Sequence, residues 1–174
     1  MQRLELVHDW LARQFPGRPL SVAPASADAS FRRYFRITFD DGQTRIVMDA
    51  PPEHEDCRPF VHVAGLLHEA GVHAPEILAQ DLERGLLLLT DLGSTTYLDA
   101  LDASNADVLF RDALDALVKW QLASRPDALP PYDEALLRRE LNLFPDWYVA
   151  RHLGSPLTAQ QQEEIFAALG LKVA

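Results

Sequence analysis

The chain has 174 residues, 48 % of them hydrophobic and 24 % charged, an ordinary globular composition for one domain or one and a fraction. Its 26 acidic residues against 16 basic ones leave a net charge of −10, which repels polyanions and argues against a protein that coats nucleic acid or lies on a membrane surface. The longest apolar run, GLLLLT at 85–90, is far too short to span a bilayer, and MQRLELVHDW lacks the pattern of a secretory signal, so the expected address is the cytoplasm.

Leu4, Val7, Leu11 and Phe15 recur at helical spacing, and Phe15-Pro16-Gly17 ends that first helix. PLSVAP at 19–24 reads as a short strand. A β-hairpin follows: Phe31, Phe35, Ile37 and Phe39 share one face, Arg32, Tyr34, Arg36 and Thr38 the other, and Asp40-Asp41-Gly42 turns the chain into QTRIVMD. Arg33 is the exception, a charge on the apolar side. Phe60, Val63, Ala64, Leu67 and Ala70 then make one face of a helix that Pro59 starts and Gly71 ends. The segment 72–93 reads as two strands joined by a turn at Glu83 to Gly85. From Thr95 onward the pattern is helical, with a stripe of Phe110, Leu114, Leu117, Val118 and Gln121, a connection at 123–133, two helices straddling Pro145 and a last one from Thr158 to Leu169. Strands in the first half and helices in the second predict an α+β fold, an antiparallel sheet of about five strands plus one helix over residues 1–92, then helices over 93–174.

Three features carry candidate chemistry. Ser26, Asp28 and Ser30 make a small, polar connection whose backbone N–H groups can face a phosphate, and Arg32, Arg33 and Arg36 beside it supply planar donors for phosphate oxygens. The alternative is a surface hairpin whose arginines pair with the surplus acids. Thr90-Asp91-Leu92-Gly93, after a continuous apolar strand, is either a hinge with backbone groups for a base edge or a plain buried strand and turn. His54-Glu55-Asp56 fits the H-x-D of a kinase catalytic loop only formally, because the required asparagine five residues on is Val61. Cys57 is alone and reads as a plain thiol. The sequence has no G-x-G-x-x-G, no Walker lysine loop, no G-x-S-x-G and no H-E-x-x-H, and its histidines lack metal-ligand spacing.

Taken together and in order, SADASFRRYFR, IVMDAPP, RPFV, GVHAPEI, DLERGLLLLTDLG and ELNLFPDWYVARHLG resemble the aminoglycoside phosphotransferase-like kinases, and within them the bacterial anomeric kinases for N-acetylmuramate and N-acetylglucosamine of peptidoglycan recycling. The resemblance implies a protein-kinase-like N-terminal lobe that binds ATP, followed by the start of a C-terminal lobe. It implies that Ser26 to Ser30 lie over the phosphates, that Val47 and Leu89 pack on adenine, and that Asp91 and Leu92 offer hinge backbone groups.

The sequence departs from the wider pattern in two ways. The strand lysine that holds the α- and β-phosphates falls at Asp49, and its helix glutamate partner falls near Phe60. The expectation is therefore that hairpin arginines replace the lysine, with Arg32 or Arg33 near the phosphates and Asp49 orienting one of them. The catalytic loop and the magnesium-binding aspartate do not occur before Ala174, so the resemblance implies a catalytic base and Mg²⁺ ligands outside this chain, and no phosphoryl transfer by it alone. Its partners would be ATP, an amino sugar and the remainder of the C-terminal lobe, with no nucleic acid and no membrane. The rival readings are a non-catalytic kinase-like module that binds a protein or a nucleotide, and a lobe of an aminoglycoside- or choline-type phosphotransferase.

Overall fold

Apolar residues at every second position organise the first half of the chain into strands. β1 (Leu20–Ala27), β2 (Arg33–Phe39), β3 (Thr44–Asp49), β4 (Ile77–Asp81) and β5 (Leu86–Thr90) form one antiparallel sheet in the order β1-β2-β3-β5-β4. The computed structural model describes residues 2–27 and 30–168. Its internal contacts divide the chain into two units, Met1–Ser124 and Arg125–Ala174. The β2–β3 turn is the one its Asp-Asp-Gly sequence predicts: Gly42 takes φ 81°, and its N–H donates to the Phe39 carbonyl at 3.0 Å.

The sheet is covered on both faces, which explains why β5 is a run of four leucines rather than an alternating strand. On one face Phe35, Ile37, Phe39, Val47, Leu86 and Leu88 pack against Val7, Trp10 and Leu11 of helix α1 (Gln2–Gln14). On the other, Met48, Leu87 and Leu89 meet Cys57, with Ile46 and with Phe60 and Val61 of helix α2 (Arg58–Glu69) packed alongside. Each large apolar side chain fully buried in this way stabilises the fold by roughly 1.5–3 kcal/mol. The sequence predicts one covering helix; α1 supplies a second because its Val7, Trp10 and Leu11 stripe packs on the other face of the sheet. Gly85, in the β4–β5 turn at φ 68°, is required there: a Cβ would lie 1.8 Å from the Ala50 carbonyl oxygen.

Two expectations change. Phe31 is not on the buried face of the hairpin; β2 begins at Arg33, and Phe31 precedes it at 61 % exposure. The α2 stripe is only partly covered: Ala64 is buried, and so is Leu66 outside the stripe, while Val63 and Leu67 line an open groove.

Beyond β5, helix α3 (Tyr97–Ala100) starts on a capping box between Thr96 and Asp99. Helix α4 (Ala106–Ala123) buries no residue, and its Phe110, Leu114 and Leu117 are about half exposed. The second unit contains helix α5 (Glu134–Leu143), capped by Asp133, a π-helical turn pair Phe144–His152 entered through Pro145, and helix α6 (Ala159–Ala168). Pro145 has no N–H to give to a regular helical ladder, which suits it to this junction. Among the described residues no helix is long and apolar enough to cross a membrane.

Candidate functional site

On the α2 side of the sheet the strands leave part of their apolar surface open. Tyr34, Ile46, Phe60 and Leu89 wall a cavity of about 540 Å³ whose rim is formed by Ser26 and the segment after β5. Ser26 reaches the rim through a β-bulge: Pro24 pairs with Phe35 and Ser26 with Tyr34, leaving Ala25 as the extra residue. Proline is tolerated there because β1 is an edge strand. Apolar walls with polar main chain at one edge suit a planar heteroaromatic group.

The charged element of that rim is an ion pair. Arg36 donates from Nε to Asp91 Oδ2 at 2.6 Å and from a terminal nitrogen to Asp91 Oδ1 at 3.0 Å, and also to the Gly93 carbonyl at 2.9 Å. Asp91 Oδ1 in turn accepts from the Gly93 N–H at 2.9 Å. These bonds, with those from Arg36 foremost, outweigh burial and hold the Asp91 carboxyl at about 2. The segment after β5 is thereby tied to β2 by a forked contact.

The three hairpin arginines go to three places. Arg33 alternates onto the α1 face, where it and Arg3 both donate to Asp49, a carboxylate with no solvent exposure. Arg36 goes to Asp91. Arg32 lines a groove of about 370 Å³ with Asp56, Pro59, Val63 and Leu67, and this groove shares Phe60 and Pro75 with the cavity. Its Nε is buried without a hydrogen-bond partner, and Glu55 Oε2 stands 3.7 Å away, beyond hydrogen-bond reach. The rest of the side chain is about one-third exposed in the groove, where a guanidinium suits an anion. Among the described residues no group of three or more His, Cys, Asp and Glu side chains converges as metal ligands. Cys57 is buried, and burial foremost pushes its thiol up, the opposite of what a nucleophile needs.

A phosphotransferase enzyme family profile matches residues 21–174. The chain belongs to the phosphotransferase enzyme family. Among curated phosphotransferase relatives, the N-acetylmuramate/N-acetylglucosamine kinase of Pseudomonas aeruginosa is 63 % identical over 142 residues, which cover 82 % of this chain and 42 % of that protein. The protein of the same name from Pseudomonas putida is 58 % identical over the same shares, and that from Neisseria meningitidis 41 % identical over 167 residues, 94 % of this chain and 49 % of its own length. The chain thus spans less than half the length of these relatives. It matches the N-terminal half of such a phosphotransferase, and the α+β sheet with its helices is the kinase-like lobe that the resemblance implies.

Of the residues singled out in the sequence, the structure brings Ser26, Leu89, Asp91 and Leu92 together around the cavity. Ser30 lies at the foot of the β1–β2 connection, its hydroxyl accepting from the Arg32 N–H at 3.1 Å, and Asp28 lies outside the described residues. Val47 is a correction. It pairs with Leu88 on the α1 face, without solvent exposure, whereas the β3 residue opposite Leu89 and on the cavity is Ile46. Asp49 does orient one of the hairpin arginines, Arg33, but their place is a second correction, for the same reason: one step along a strand reverses the face, and the pair lies on the α1 side. The β3 residue two positions beyond Ile46 on its face is Met48, buried against Leu87 and Leu89, so a lysine at position 49 would point at α1. Sequence reading missed Ile46 and Tyr34 as walls, the Arg36–Asp91 pairing and Glu55. The strict alternation of β2 contained the signal for Tyr34 and Arg36, since both fall opposite Phe35 and Ile37.

Proposed function

We propose that this chain is the nucleotide-positioning part of an ATP-dependent kinase that phosphorylates an amino sugar, N-acetylmuramate or N-acetylglucosamine, at its anomeric hydroxyl, in the cytoplasm and in peptidoglycan recycling. The observation that carries the reading is the apolar cavity with the partly exposed Arg32 guanidinium in the adjoining groove, in a chain whose relatives bear that kinase name. In this reading adenine lies between Ile46, Leu89 and Tyr34, with the main chain of Asp91 and Leu92 at its hydrogen-bonding edge. Ser26 and Ser30 flank the phosphates. Arg32, rather than Arg33, donates to a phosphate oxygen, because Arg33 is engaged by Asp49 on the far face. Mg²⁺-ATP supplies the transferred phosphoryl group, and the metal ligands, the base and most of the sugar contacts are assigned to the rest of the longer protein. Phosphoryl transfer depends chiefly on placement and charge neutralisation, so holding the nucleotide in register is a real share of the catalysis.

Calorimetry of the 174-residue chain with ATP and with adenosine tests this. The expected result is saturable binding of both, with Arg32→Ala weakening ATP about 30-fold, the worth of a charge-assisted hydrogen bond, while adenosine binds as before. Absence of saturable heat at millimolar nucleotide would remove the reading. Phosphorylation by the longer protein of an aminoglycoside, but not of either amino sugar, would reassign the acceptor.

A further inference from the structure

We infer that the β3–α2 connection is a platform that sets Arg32 in place, with Glu55 as a positioning residue acting through the guanidinium. The inference rests on the nucleotide reading of the cavity. Two consecutive residues meet two consecutive residues here. The Phe31 ring stacks on His54 with centroids 4.4 Å apart and planes 18° apart, and Arg32 Nε faces Glu55 Oε2 at 3.7 Å. A contact at one point lets a segment pivot; contacts at two neighbouring points fix its position and its rotation. An exposed phenylalanine just ahead of a strand gains little from water, and this stack is what its placement achieves.

The platform is itself braced. The N–H groups of His54 and Glu55 both donate to the Pro51 carbonyl at 2.9 Å, the Ala50 N–H donates to Gly85 at 2.8 Å, and Cys57 is buried beneath. Of its two other carboxylates, Glu53 is exposed and Asp56 is committed, accepting the Arg58 N–H and Nε–H, both at 2.9 Å. Glu55 is left to attract Arg32. At 3.7 Å it holds the buried Nε edge of the guanidinium by charge, which leaves the remaining N–H groups of this one-third-exposed side chain for a phosphate oxygen of the nucleotide. The missing carboxylate of the lysine–glutamate pair is thus supplied from the connection before α2 rather than from within the helix.

Glu55→Gln and His54→Ala in the 174-residue chain test the inference with two readouts. Amide hydrogen exchange at residues 31–33 is expected to quicken several-fold in both variants, with global stability unchanged. Glu55→Gln is expected to weaken ATP about five-fold, the scale of a part-exposed ion pair, and to leave adenosine binding unaltered, which a merely structural lesion would not do. Unchanged exchange with unchanged ATP affinity overturns the platform while the nucleotide reading stands. Equal losses for ATP and adenosine overturn the role through Arg32. A parent chain that binds neither ligand overturns the nucleotide reading, and this inference with it.

Discussion

Both faces of the sheet set a carboxylate against arginine, and they do so for different ends. On the α1 face Asp49 has no solvent exposure and is held by Arg3 from the helix and Arg33 from the neighbouring strand. On the α2 face Asp91 is held by one arginine, Arg36, together with the Gly93 N–H, at the rim of an open cavity. The first pair of contacts staples a helix to a sheet; the second fixes the edge of the cavity. Arg33 and Arg36 lie three residues apart on one strand, and strand face decides that the first meets Asp49 under α1 and the second Asp91 at the cavity rim.

The largest expected effect breaks the staple. Asp49→Ala leaves two guanidinium groups without their shared partner, and the folded chain is expected to lose about 3 kcal/mol, read as a lower urea midpoint at pH 7. Replacing all three charges together, as Arg3→Met, Asp49→Leu and Arg33→Met, is expected to restore most of that loss, since a packed apolar cluster needs no charge compensation. If Asp49→Ala unfolds at the parent's midpoint, the two faces do not differ in the way described.

A smaller pair of changes sharpens the contrast at adjacent residues. Val47→Ala removes two methyl groups from the core under α1 and is expected to cost about 2 kcal/mol of stability, with ATP binding unaltered. Ile46→Ala acts on the cavity wall and is expected to weaken ATP about five-fold by calorimetry, with the smaller loss of stability. Exchanged phenotypes would mean that the nucleotide lies on the other face.

The same one-residue step marks the limit of what the sequence discloses. Element order, the Asp-Gly turn, the helix bounded by Pro59 and Gly71 and the α+β class were all legible, because periodicity and turn chemistry are local. The gathering of Ser26, Leu89, Asp91 and Leu92 around one cavity was legible through resemblance. Val47 and Asp49 were misplaced because β3 runs TRIVMD, with buried residues in succession, and such a strand gives no alternation from which to read a face. The facing of β3 comes from its register with β2 and β5, a long-range property. Glu55 was hidden for another reason: it precedes the helix in which a partner glutamate was sought.

The smallest expected effect separates the two carboxylates by pH. Asp91 titrates at about 2 in the fold, lowered first by its bonds from Arg36, then by the Gly93 N–H and Thr44, against an ordinary value near ~3.9. A folded value below the unfolded one means that the unfolded chain binds the proton more readily. The contribution of Asp91 is therefore complete above about pH 4, and it is lost as pH falls from about 4 through about 2. Several other carboxylates are also lowered, among them Asp56, Asp81, Asp99 and Asp102, so the acid slope of the parent alone does not isolate it. The difference in urea midpoint between parent and Asp91→Asn does: it should be constant at neutral pH and shrink across that acid window. The gap should be modest, because Arg36 is partly open to water and its pairing is screened. Between pH 5 and 8 the clamp stays charged throughout, so ATP affinity should show no step that Asp91→Asn abolishes; such a step would mean that Asp91 is free of Arg36 and meets the nucleotide itself.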